Sequence, residues 1–285
     1  MRIENHNRTI LPNPYTASTV TELPKLETGS APQIQEHYYV ELSSVAAREL
    51  PEGVIEHEPV KRYFNEEVNT SLEKVLADKA PEVSKAVYQL IESNFFASDA
   101  DYREEERASL IAAGITQAQF IADNYMRPDE AAEFMDKIRL IAAVAKTRQV
   151  DPRTGHVSYV ELPQRPHGAP EDYVRTEDLM RRYDPEAYAK LGKAIANGEN
   201  FASILIQFAA KLQSHPEWIQ AYRREQAQIM SNLRNTRIDN EFEHIKATTV
   251  QDFVAVMQSH IEQSSVDYKD LLLRNTMAFA RILGF

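Results

Sequence analysis

The sequence predicts an all-α protein: a multi-helix bundle with a disordered or extended N-terminal arm and one proline-rich insert with room for a short hairpin. Three observations predict it. Glycine is scarce, eight in 285 residues, less than half the usual share of about 7%. Apolar residues from Pro59 onward recur at steps of three and four, the period of a helix. Of the 14 prolines, four fall in the first 35 residues and four in 147–175, so the positions that break helices are concentrated.

Residues 1–35 read as a disordered or loosely docked arm, because Pro12, Pro14, Pro24 and Pro32 forbid a long helix in a polar stretch. His37 to Leu42 has the β-branched and aromatic content of one extended piece, and Ser43 to Leu50 equally suits a helical turn. The stripe Val60, Phe64, Val68, Leu72, Val75 and Leu76 predicts a helix over about Pro59 to Lys79. Pro81 suits the first turn of the next helix, whose Val83, Val87, Leu90, Ile91 and Phe95 again form a stripe, and these two helices are expected to form an antiparallel pair.

Glu104 to Ala113 and Thr116 to Met126 are expected as two helices, with Gly114 a left-handed stop between them and Thr116 a cap. Asp129 to Lys146 follows, with Phe134, Ile138, Ile141 and Val144 inward. The pattern breaks at Thr147 and resumes near Thr176, with further helices at Pro185–Asn197, Phe201–Gln213, Pro216–Asn235, Thr249–Gln263 and Val266–Leu283. The expected organisation is therefore an arm (1–35), an N-terminal helical part (36–146), the insert (147–175) and a C-terminal helical part (176–285). Residues 36–285 also read as one domain. Phe201 to Leu212 is apolar on most sides with Lys211 its only charge, which predicts a helix at the centre of the bundle.

Composition narrows the function classes. Phosphate-cradling loops and strained catalytic turns are built from glycine, so its shortage argues against nucleotide-binding and α/β-hydrolase chemistry. The absence of cysteine excludes disulfides, thiolate metal sites and a cysteine nucleophile. A net charge of −11 repels phosphate backbones, so nucleic acid is not an expected partner. Met1 to Ser30 lacks the pattern of a cleaved signal peptide, and no run approaches the roughly 20 apolar residues of a membrane span. A soluble protein is expected, cytoplasmic or exported without a cleaved signal peptide.

Four constellations bear on chemistry. Ala108 to Met126 has the outline of a DNA-reading helix-turn-helix, but its second half offers no Arg or Lys, and an αα-corner is expected instead. Glu241 and His244 share the spacing of half a di-iron site; the partner motif is missing, so a surface pair and no metal are expected.

The insert gathers His156, Tyr159, Arg165, His167, Glu171, Asp172 and Tyr173. Its catalytic candidates are His156, His167, Glu171 and Asp172, since histidine titrates near neutrality and the carboxylates pair with it in acid-base work. Finally, Val266 to Phe285 carries more apolar surface than one stripe: Leu272, Leu273, Met277, Phe279, Leu283 and Phe285 either dock into the bundle or form a ridge for another chain.

These readings lead to a non-enzymatic helical protein without cofactors that acts through protein-protein contacts, with a protein partner or as a homo-oligomer. An exported or effector-type bacterial protein fits that description. The alternative is an enzyme or small-ligand binder with its site at the insert.

Overall fold

The computed structural model describes residues 63–97, 102–166, 169–170, 173–264 and 266–285. The expected arm and the reading of 36–62 lie outside the described residues. So do His167, Glu171 and Asp172.

Among the described residues ten α-helices and one two-stranded hairpin form the structure. Helix α1 (Glu66–Leu76) begins where Asn65 caps it, its side-chain oxygen accepting from the Val68 N–H at 2.9 Å, and it buries Val68, Leu72, Val75 and Leu76. Helix α2 (Pro81–Leu90) starts with proline in its first turn and runs on as a π-helical turn, Ile91–Phe95, that buries Asn94 and Phe95. Helices α3 (Glu104–Tyr125) and α4 (Pro128–Lys146) are joined by two residues and fold back along each other. Their antiparallel course is visible at one end, where Arg107 near the start of α3 donates to the Ala145 carbonyl at the end of α4 at 2.6 Å. Burial of that guanidinium lowers its pKa from the ordinary value, with Glu104 opposing the shift.

Three expectations fail. Helices α1 and α2 do not form a pair: α1 packs chiefly against α4, and α2 against α3, the π turn and a C-terminal helix. Gly114 is not a stop: α3 passes through it unbroken for 22 residues, and the glycine lies against Asn94 and Phe95 of the π turn. The centre of the bundle is α3 itself, buried on nearly every side through Leu110, Ile111, Ala112, Ala113, Gln117, Ala118, Ile121 and Ala122. Its small residues allow α2, α4 and C-terminal helices to close around it. The helix expected there, α7 (Ala202–Ser214), lies at the surface with Phe208 its one buried side chain and Ile206 69% exposed.

The hairpin pairs β1 (Gln149–Val150) with β2 (Val157–Ser158) in antiparallel register, Gln149 opposite Ser158 and Val150 opposite Val157. Gly155 takes the left-handed conformation that its turn requires, at φ 69°.

Helices α5 (Thr176–Tyr183), α6 (Pro185–Ala196), α7 and the first half of α8 (Pro216–Arg234) enclose a small second core of Leu179, Met180, Leu191, Phe208, Ile219 and Tyr222. The far end of α8 reaches the main core through Leu233, so this helix belongs to both. Trp218 is half-buried and stacks with the rings of His215 and Tyr183.

The α6 start is fixed by Asp184, which accepts from the Ala187 N–H and pairs with Lys211 of α7. The hydrogen bond from Lys211, then that from Ala187, holds the carboxyl below its ordinary pKa. Asp184→Ala is expected to cost about 1 kcal/mol in a denaturation curve near neutral pH. A folded-state pKa below the unfolded one means that this contribution is complete above the ordinary carboxylate range and disappears as pH falls through the lowered value. Wild type and variant should therefore converge in stability in strong acid.

Helices α9 (Val250–Gln263) and α10 (Lys269–Ile282) close the main core.

Candidate functional site

Of the catalytic candidates only His156 lies among the described residues. His156 is exposed on the hairpin turn, where its carbonyl accepts from the Asp151 N–H at 2.9 Å and its N–H donates to the Thr154 hydroxyl at 3.2 Å. Tyr159 packs edge-on against Tyr63 and Phe96, 5.0 Å from each ring, and burial pushes its phenol above the ordinary range. Leu162 is buried beside it, and the Pro163 carbonyl accepts from Asn65 at 2.9 Å. The described part of the insert is thus strapped to α1 and the π turn.

A cavity of about 410 Å³ does lie beside the insert, between Val160, Leu162 and Gln164 and the helices α5 and α8. Its polar groups are engaged with each other: Tyr222 donates to Asp178 at 3.1 Å, Arg181 bonds the same carboxylate at 3.1 Å, and Arg182 pairs with Glu225. His156 does not line it.

Glu241 and His244 sit in the irregular segment after α8 and serve different neighbours. Glu241 accepts from Ser109 at 2.6 Å, and the His244 ring lies 4.8 Å from that of His260. Among the described residues no three His, Asp or Glu side chains gather as a metal ion would require. The helix-turn-helix outline and the αα-corner both disappear into continuous α3.

At the C-terminus Leu272 and Phe279, 1% and 0% exposed, are inside the molecule's own core, so in this fold they offer no surface to a partner. Leu273, Met277 and Leu283 are half-buried against that core, and Phe285 is exposed.

A second cavity was not expected from the sequence. It is an open groove of about 670 Å³ between the α3–α4 hairpin, the end of α8 and the irregular segment 235–248. Its apolar lining comes from Ile115, Leu140, Leu233, Ile238, Phe242 and Ile245; its charged lining from Asp123, Asp136, Arg139, Arg234, Glu243 and Lys246.

The segment that forms one wall lacks regular structure but is pinned along its length. Lys146 donates to the Arg237 carbonyl at 2.7 Å, Asn240 to the Thr116 hydroxyl at 3.0 Å, and Asn124 to the Ala247 carbonyl at 3.1 Å. Phe242 and Ile245 are buried in the core between these tethers. A wall held in this way is shaped before any ligand arrives, which reduces the ordering cost of binding.

Among the described residues the side chains of Arg139, Arg234, Glu243 and Lys246 have no intramolecular partner. Beside apolar contact and charge, the lining offers the polar side chains of Thr116, Gln119, Thr236 and Asn240. Ile238, Phe242 and Ile245, apolar residues at steps of four and three in a stretch otherwise rich in Asn, Asp, Glu and Thr, were the sequence signal for this wall.

Compared with known proteins, the chain matches no family model, no curated protein and no solved structure. Among the described residues no helix is long and apolar enough to cross a membrane.

Proposed function

We propose that this protein works by contact, seating an amphipathic segment of a protein partner in the groove between α3, α4 and segment 235–248. The observation that carries this reading is the unpaired charge of both signs, Arg139, Arg234 and Lys246 with Glu243, around an apolar floor. A ligand that satisfies such a groove is apolar along one side and bears both signs of charge, as amphipathic helices do. Nucleic acid is disfavoured by Asp123, Asp136 and Glu243 in the same lining and by the net charge of −11. The role suits a cytoplasmic protein and equally an exported or effector-type bacterial one. The ligand-binding alternative at the insert has less support, since the polar groups of its cavity already pair with one another.

Photo-crosslinking in native lysate tests the proposal. A photoreactive residue at Gln119, Asp136 or Glu243, all lining the groove, is expected to capture one discrete protein, whereas the same residue at Glu82 on exposed α2 surface captures none. Arg139→Glu with Lys246→Glu should reduce capture at least about fivefold, because each reversal turns a rim attraction into a repulsion of similar size. Equal capture from groove and control positions would refute the assignment.

A further inference from the structure

Building on the docking groove proposed above, we infer that the partner segment carries its charges in order: carboxylates at the end that lies over Arg139 and Arg234, and lysines or arginines at the end that lies over Asp123 and Glu243. The groove then selects by the sequence of charge along the partner as well as by its apolar face.

Three tethers and the course of the α3–α4 hairpin define the axis. The two helices are antiparallel, so one end of the groove points to their turn, through Met126 and Arg127, and the other to the open end, where Arg107 donates to Ala145. Segment 235–248 is laid along the same axis. Its Arg237 carbonyl is held by Lys146 toward the open end, Asn240 by Thr116 in the middle, and the Ala247 carbonyl by Asn124 near the turn. From Thr116 to Asn124 is about 12 Å of helix.

The charges divide along this axis. Arg234 closely precedes Arg237 in the chain, and Arg139 lies about two turns before Lys146, so both guanidiniums belong to the open half. Asp123 adjoins Asn124, Lys246 adjoins Ala247, and Glu243 lies between the Asn240 and Ala247 tethers, so these belong to the turn half, where carboxylates outnumber the single lysine. Asp136, between the halves, is already paired with Lys137 at 3.5 Å. All five charges of the two halves are exposed. Arg139 and Asp123 are more than about 10 Å apart along the axis, beyond the roughly 8 Å over which salt screens exposed charges. Each end therefore keeps its own sign. The apolar floor of Ile115, Leu140 and Phe242 supplies adhesion but no register; the separated charges supply it.

Fluorescence anisotropy on the full chain, with two synthetic helical peptides of about four turns each, tests this. Both peptides present the same leucine stripe and the same numbers of Glu and Lys. One has Glu in its first half and Lys in its second; the other has them interspersed. The ordered peptide is expected to bind at least about fivefold tighter, as a few exposed ion pairs would give, and its advantage should shrink in high salt. Arg139→Glu with Arg234→Glu, at exposed positions, should erase the advantage with unchanged circular dichroism. Equal binding of the two peptides, or an ordered peptide that fails to bind at about 1 mM, would overturn the order of charge. Photo-crosslinking from Gln119 or Asp136 reports separately on whether the groove is a docking site at all, so the two failures are distinguishable.

Discussion

Replacing Gly114 with alanine is expected to destabilise the protein by about 1–3 kcal/mol, although glycine to alanine inside a helix ordinarily stabilises by about 1 kcal/mol. The reversal of sign follows from position. A Cβ on residue 114 would lie 2.6 Å from Cε1 of Phe95 and 2.9 Å from Cβ of Asn94. Neither neighbour can step aside cheaply. Phe95 is 3% exposed in the π turn, and Asn94 donates to Gln117 at 3.0 Å while accepting from Asn275 at 3.2 Å. An added methyl would push the π turn away from α3 and strain a hydrogen-bonded chain that links three elements.

Gly192 in α6 is the matched control, a helical glycine with nothing within 4 Å of an added Cβ. Gly192→Ala should stabilise by about 0.5–1 kcal/mol through helix propensity alone. Urea denaturation of the two variants beside wild type decides the matter: midpoints shifting in the same direction would show that α3 and the π turn do not touch at Gly114.

Gly114 also shows why the architecture was easier to read than its centre. Periodicity located nearly every helix, because Val68, Leu72 and Val75 or Phe134, Ile138 and Ile141 are large apolar residues on one face and each such side chain contributes about 1.5–3 kcal/mol when buried. Helix α3 lacks that one-sided signature. Ala112, Ala113, Gly114 and Ala118 are buried because they are small enough for neighbouring helices to approach, a property of the assembled bundle that hydrophobicity along the chain does not display. Helix α7 misled in the opposite sense: Ile206 and Ala210 look like core residues, and only the arrangement of α5, α6 and α8 leaves their side uncovered.

The candidate groove was less legible still. Its floor draws on α3, α4 and α8, and its outer wall is an irregular segment fixed by Thr116, Asn124 and Lys146, partners 91 to 124 positions away in sequence. In the insert, where titratable residues are dense in the sequence, exposed His156 and packed Tyr159 are the two that the described residues place.

Removal of residues 267–285 is expected to abolish cooperative folding, not to release a stable truncated monomer. Helix α10 is as much part of the core as α9: Leu272, Thr276, Phe279 and Ala280 are at most 1% exposed, and the Phe279 ring lies 5.8 Å from Phe253 and 6.3 Å from Phe120. Deletion would also remove Asn275, which donates to buried Asn94, and would strip the apolar face of α9, with Phe253, Val254 and Met257. Two large side chains at about 1.5–3 kcal/mol each, with the faces they cover, approach the whole of an ordinary net stability of about 5–15 kcal/mol.

Point variants make the same argument on a scale that can be measured. Phe279→Ala should cost about 3–5 kcal/mol by leaving a ring-sized void among aromatic neighbours. Phe285→Ala, at a position 48% exposed, should change stability by less than about 1 kcal/mol. If Phe279→Ala proves as mild as Phe285→Ala in thermal denaturation, or if the chain ending at Val266 melts cooperatively as a monomer, α10 is an appendage presented to other molecules and not a helix of this core.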